Sequence, residues 1–201
     1  MKLPFDMKYV PNVLSVARIA VTPLLLFLLF TGTFIGYAWA LILFVAGAIS
    51  DYFDGVVARK YGVGSSFGTY LDPLADKILV LGTFVSLIFI LPDLVPVWAI
   101  GLIAFRDISV TILRSWLKRR GDELQTSRAA KLKTTVQLTY LILTLTLLAA
   151  SQLPGKFGEL IGSLLASDIM YWMLVGVTVV TVITGVMYFT GLKRVTDDGG
   201  S

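Results

Sequence analysis

The chain has no cysteine and no histidine among its 201 residues. The first absence excludes disulfides, zinc–thiolate sites and thiol nucleophiles. The second removes the commonest general base, so proton transfer must fall to Asp, Glu, Lys or Tyr. Charge is also scarce, at 15% of residues, against roughly 25% in an average soluble domain. Apolar residues take its place: 56% of the chain is hydrophobic and the mean hydropathy is +0.83. That composition excludes an ordinary soluble domain and points to lipid.

Six apolar runs, near 13–31, 35–59, 69–91, 95–118, 129–151 and 169–191, are each long enough to cross a bilayer as a helix. Turn chemistry separates them, as in Thr31-Gly32-Thr33, Gly62 to Ser66, Pro92-Asp93, Gly121-Asp122 and Pro154-Gly155. The expected architecture is all-α: one membrane domain over 1–194, with six transmembrane helices and a short N-terminal interfacial segment, and a flexible tail over 195–201. Gly47, Gly82 and Gly101 read as helix-packing positions. The connections 32–34, 92–94 and 152–168 hold one basic residue, Lys156, while Lys2, Lys8, Lys60, Lys118, Arg119, Arg120, Lys193 and Arg194 fall on the other side. The excess of basic residues places both termini in the cytoplasm. The net charge of +4 suits an anionic membrane surface or a phosphorylated substrate better than nucleic acid.

Against that background, four acids stand in one ordered pattern: D51-Y-F-D54-G55-V-V-A58-R59, eight further residues, then G68-T-Y-L-D72-P-L-A-D76. A carboxylate at membrane depth is costly and ordinarily faces a polar cavity, a partner charge or an ion. Asp51 and Asp54 are three apart and Asp72 and Asp76 four apart, so each pair shares one face of a helix. Four converging carboxylates repel unless cations hold them, and hard oxygen ligands suit Mg²⁺, Mn²⁺ or Ca²⁺. Ion pairs with Arg59, Lys60 and Lys77 are the structural alternative. A divalent-cation transporter is a further one, but it predicts acids spread through the depth of the bilayer, and these lie toward one face.

The same residues fit every fixed position of the CDP-alcohol phosphatidyltransferase signature, and the chain resembles that family. The resemblance implies a six-helix homodimeric membrane enzyme that moves a substituted phosphate from a CDP-linked lipid to an alcohol and releases CMP. By matching position, Asp51, Asp54, Asp72 and Asp76 would ligate two divalent cations, Mg²⁺ or Mn²⁺, and Asp76 would also deprotonate the acceptor hydroxyl. Asp51, Gly55, Ala58, Arg59, Gly68 and Asp72 would border the CDP moiety.

Three further stretches resemble the phosphatidylglycerophosphate synthase branch of the family: P11-N12-V-L-S-V-A-R18, L71-D72-P73-L74-A75-D76-K77, and R106-D107 through K118 with A130-K131-L-K133-T134-T135-V-Q137. That branch implies CDP-diacylglycerol as donor and glycerol 3-phosphate as acceptor, at the cytoplasmic face of the inner membrane. Arg114, Lys131 and Lys133 are the candidates for the acceptor phosphate, since a dianion needs cationic partners; contacts with lipid headgroups are their plainer reading. The family often has Glu where Asp107 stands, and an Arg106–Asp107 ion pair or a place lining the acceptor pocket are both open. Phosphatidylglycerol or inositol phosphate as acceptor would keep the chemistry and change the product.

Overall fold

The structure, a computed structural model, describes residues 10–61, 68–119 and 128–198; the side chains of 10–12, 52–61, 68–73, 118–119, 128–130, 189 and 191–198 are outside that description. Seven helices and no strand occupy the described residues: α1 (Val10–Phe30), α2 (Phe34–Tyr61), α3 (Gly68–Ile90), α4 (Val97–Arg119), α5 (Arg128–Ser151), α6 (Lys156–Leu165) and α7 (Asp168–Asp198). The six long ones fall on the six apolar runs. Four of them, α1, α2, α5 and α7, are apolar enough over sufficient length to cross a membrane. Arg106, Asp107 and Arg114 interrupt α4, and the first turns of α3 carry Asp72, Asp76 and Lys77. The protein is an all-helical, multi-pass membrane protein. α7 runs to Asp198, past the boundary at 194. The N-terminal interfacial segment falls mainly on residues outside the described ones.

The short α6 departs from the expectation of a bare connection over 152–168. Phe157, Leu160, Ile161, Leu164 and Leu165 repeat at helical spacing. Ten residues are too few to span a bilayer, so a search for long apolar runs passes over them. The helix packs on α5, and Gly158 lies against the turn that joins them, where a β-carbon would stand 1.8 Å from the Leu153 carbonyl oxygen. Gly32, at φ +64°, turns the chain between α1 and α2, and Thr33 Oγ1 then caps α2 by accepting from Gly36 N–H at 3.1 Å.

The core is a set of large apolar side chains from every long helix: Leu25 and Leu29, Phe44, Leu79 and Phe84, Ile103, Tyr140 and Leu145, and Leu174. Phe84 stacks on Tyr140 with ring centres 6.1 Å apart, joining α3 to α5. Buried hydroxyls are satisfied on their own helices. Thr22, Thr83, Thr144, Thr178 and Thr181 each donate to the carbonyl four residues earlier. The outward surface is apolar, with Phe27, Phe105, Ile112 and Trp172 exposed, as lipid contact requires.

Candidate active site

Helix α2 ends and α3 begins at the same end of the bundle. Gly47 and Leu79 fix their approach: a β-carbon on Gly47 would lie 2.7 Å from Leu79 Cδ2. Asp51 follows Gly47 by one turn and Asp76 precedes Leu79 by one turn, so both acids leave that contact toward the same end. Gly82 likewise faces side chains of α1, whereas no described atom lies within 4 Å of a β-carbon placed on Gly101.

Asp51 is half-exposed and its Oδ1 accepts from Arg18 Nη1 at 2.9 Å; the Arg18 side chain itself is buried. Asp76 Oδ2 accepts from Lys77 Nζ at 3.1 Å. The Lys77 ion pair of the structural alternative is thus present, and Arg18 holds the first acid. The side chains of Asp54, Gly55, Ala58, Arg59, Gly68 and Asp72 are outside the described ones, although the helices that carry them are described. No three acids meet among the described residues. The donor chemistry still fits divalent cations. All four candidate ligands are carboxylates on two helices that meet beside them, and both described acids are turned to positive groups.

A second polar centre lies deeper. Asp107, on α4, has a fully buried side chain. Its Oδ2 accepts from Lys133 Nζ of α5, and Lys77 Nζ of α3 is 3.6 Å from the same oxygen. Its Oδ1 faces Arg106 Nη1 at 3.3 Å, and Arg106 Nη2 reaches Thr184 Oγ1 of α7 at 3.3 Å. Gly185 makes room for that arginine: a β-carbon there would stand 2.7 Å from Arg106 Cγ. Next to it, Gln137 Nε2 donates to Thr181 Oγ1 at 3.1 Å.

The three candidate phosphate ligands part company. Lys133 is buried at 3% exposure and joins this centre, whereas Lys131 is exposed. Two residues apart on one helix, they point to different faces. Arg114 lies over the Tyr188 ring at 5.1 Å, with its Nε buried and no hydrogen-bond partner among the described residues. Sequence reasoning placed Lys77 only as an ion-pair partner of the acids and missed Thr181 and Thr184 beside the second centre. The signals were the lysine beside Asp76 and the Thr178, Thr181, Thr184 stripe, every third residue of an otherwise apolar run.

Polar residues so placed can hold anionic groups beside carboxylates. The model of the CDP-alcohol phosphatidyltransferase family matches residues 8–186, and the chain belongs to that family. A Rickettsia typhi protein named CDP-diacylglycerol–glycerol-3-phosphate 3-phosphatidyltransferase is 34% identical over 187 residues, 93% of this chain and 98% of that protein. A Mycobacterium tuberculosis protein named probable phosphatidylglycerophosphate synthase is 40% identical over 133 residues, 63% of this chain and 60% of that one. An Arabidopsis thaliana chloroplastic/mitochondrial CDP-diacylglycerol–glycerol-3-phosphate 3-phosphatidyltransferase is 35% identical over 166 residues, 76% and 54% of the two chains.

Proposed function

We propose that this protein transfers the phosphatidyl group of CDP-diacylglycerol to sn-glycerol 3-phosphate, giving phosphatidylglycerophosphate and CMP. The observation that carries the reading is the end-to-end likeness to a relative named for that reaction, which covers 98% of the relative's length. The geometry supports it with a surplus of buried cations. Among the described residues of the inner centre, Lys77, Arg106 and Lys133 bring three positive charges, while Asp76 and Asp107 bring two negative ones. A buried unbalanced cation is costly, and the acceptor's phosphate would relieve it.

Asp76 stands beside this cluster and takes the proton of the acceptor hydroxyl. The hydroxyl oxygen forms a bond to the phosphorus that carries diacylglycerol, the bond from that phosphorus to the bridging oxygen breaks, and the electron pair leaves with CMP. Lys133 and Arg114 hold the acceptor phosphate; Lys131, on the exposed face, meets anionic headgroups or incoming substrate. Asp51, Asp54, Asp72 and Asp76 would hold two divalent cations, Mg²⁺ or Mn²⁺, which when bound neutralise charge on the transferring phosphoryl group. Asp51, Gly55, Ala58, Arg59, Gly68 and Asp72 border the CDP moiety.

The donor's chains have a place in the same reading. An apolar groove of about 750 Å³ runs along α1, α3 and α4, from Lys77 past Leu26, Leu81 and Val85 to Phe30 and Phe89. Its lining suits an acyl chain whose headgroup lies at the Lys77 end. All six long helices cross the inner membrane, with both termini and the site on the cytoplasmic side, and two copies form a homodimer.

The test is acceptor-dependent CMP release from CDP-diacylglycerol and Mg²⁺ by the purified protein. Glycerol 3-phosphate should support release, and phosphatidylglycerol or inositol phosphate should not. Asp76→Asn should lower the rate by about 10²–10⁴-fold, the usual contribution of a general base. Release with a different acceptor would keep the family and change the product; folded, metal-loaded protein inactive with all three would overturn the reading.

A further inference from the structure

We infer that Asp107 is a positioning residue for the acceptor site: its one buried carboxylate sets the place of the lysines that receive the acceptor phosphate. The inference rests on the proposed reaction. Asp107 is the one described side chain that touches charged groups from three helices, Lys77 of α3, Arg106 of its own α4 and Lys133 of α5. Arg106 carries the connection on to Thr184 of α7.

Lysine has a flexible four-carbon stem and a point-like charge, so its ammonium goes where a partner holds it. Here two ammoniums from different helices share a single oxygen, Asp107 Oδ2. They repel each other, and without the carboxylate between them they have no reason to remain adjacent. Arg106 is held otherwise, with one nitrogen on Asp107, another on Thr184, and its stem against Gly185. The carboxylate therefore governs the lysines more than the arginine.

Even with Asp76, two negative charges do not neutralise three positive ones. Asp107 gathers the cations and leaves them able to take a further anion. Lys77 also donates to Asp76, so the group that holds the cations is one lysine away from the proposed base. Acceptor phosphate on Lys133 would thus be fixed at a set distance from the carboxylate that takes its proton. Loss of Asp107 should fall on acceptor binding first, because donor binding is assigned to α2 and the start of α3.

The experiment compares Asp107→Asn, Asp107→Glu and Lys133→Ala with the wild type, measuring KM for each substrate, kcat, and thermal unfolding in detergent. Asp107→Asn should raise KM for glycerol 3-phosphate by about tenfold to a hundredfold, the worth of a charge-assisted hydrogen bond, with KM for CDP-diacylglycerol little changed. Asp107→Glu keeps the charge and adds a methylene that the lysine stems can absorb, so it should restore most of the loss. An unchanged acceptor KM in Asp107→Asn, or a Glu variant no better than Asn, overturns the inference. If Asp107→Asn does not accumulate as folded protein, Asp107→Asn/Lys77→Met removes one charge of each sign. It should show the raised acceptor KM relative to Lys77→Met alone; equal values overturn the inference. Failure of the underlying reading looks different: the wild type shows no glycerol 3-phosphate-dependent CMP release, or Lys133→Ala leaves the acceptor KM unchanged.

Discussion

Lys131 and Lys133 differ by two positions and lie on different faces of α5. One is exposed and the other is 3% exposed against Asp107. A charge in water interacts weakly and is screened by salt, whereas a buried charge is strongly coupled to its partners. Lys131→Ala should therefore change KM for glycerol 3-phosphate by less than about threefold at physiological ionic strength, and what change there is should shrink as salt rises. Lys133→Ala should raise that KM by at least about tenfold and also lower the unfolding temperature, since it leaves Asp107 short of a partner. Equal effects from the two would contradict the split. The sequence made both residues visible as cations near the start of one helix. It did not show which faces inward, because α5 is polar or apolar with little preference of side: Thr134, Thr135 and Gln137 stand among the apolar residues around the lysines. The burial is decided by Asp107, 26 residues away in the chain, on another helix, and adjacent in space.

At the scale of elements, what was legible followed from length and period. Six runs gave six long helices because a bilayer-length apolar stretch has no other way to satisfy its backbone. The acid pattern was equally legible, since its spacing of three and four has meaning on any helix. The approach of α2 to α3 was harder to read, because a glycine in an apolar run looks the same whether a neighbour or lipid faces it. Gly47 and Gly101 were given the same packing role, yet Leu79 presses on one and no described atom lies near the other. Their substitutions should diverge. Gly47→Leu must push Leu79 aside and should cost about 1–3 kcal/mol as an overpacked contact, with loss of activity because Asp51 and Asp76 flank it. Gly101→Ala should leave activity alone and stabilise by roughly 0.5–1 kcal/mol, the ordinary gain of alanine over glycine in a helix. Thermal unfolding in detergent, alongside CMP release, separates the two; a destabilising Gly101→Ala would mean that an interface covers that face.

At the scale of the whole molecule, the charges and the helices make one statement about orientation. The ion pairs of Arg18 with Asp51, and of Asp107 with Lys77 and Lys133, draw on the first half of α1, the latter part of α2, the first half of α3, the middle of α4 and the start of α5. Alternating helices therefore bring their charged halves together, and the opposite end is left with Asp93, Lys156, Glu159 and Asp168. α5 offers the cleanest test. The stretch Lys131–Ser151 is 21 residues, which at 1.5 Å per residue is about 32 Å, close to the thickness of the hydrocarbon layer. Because the chain contains no cysteine, a single introduced thiol reports its own position. Lys131→Cys and Gln152→Cys place one at each end of this helix, both at exposed positions. With the basic end in the cytoplasm, a membrane-impermeant maleimide applied to intact cells should label Gln152→Cys and spare Lys131→Cys until the membrane is opened. Labelling of both from outside would deny that α5 crosses, and labelling of Lys131→Cys alone would invert the protein and carry the acid site to the opposite face from the one proposed.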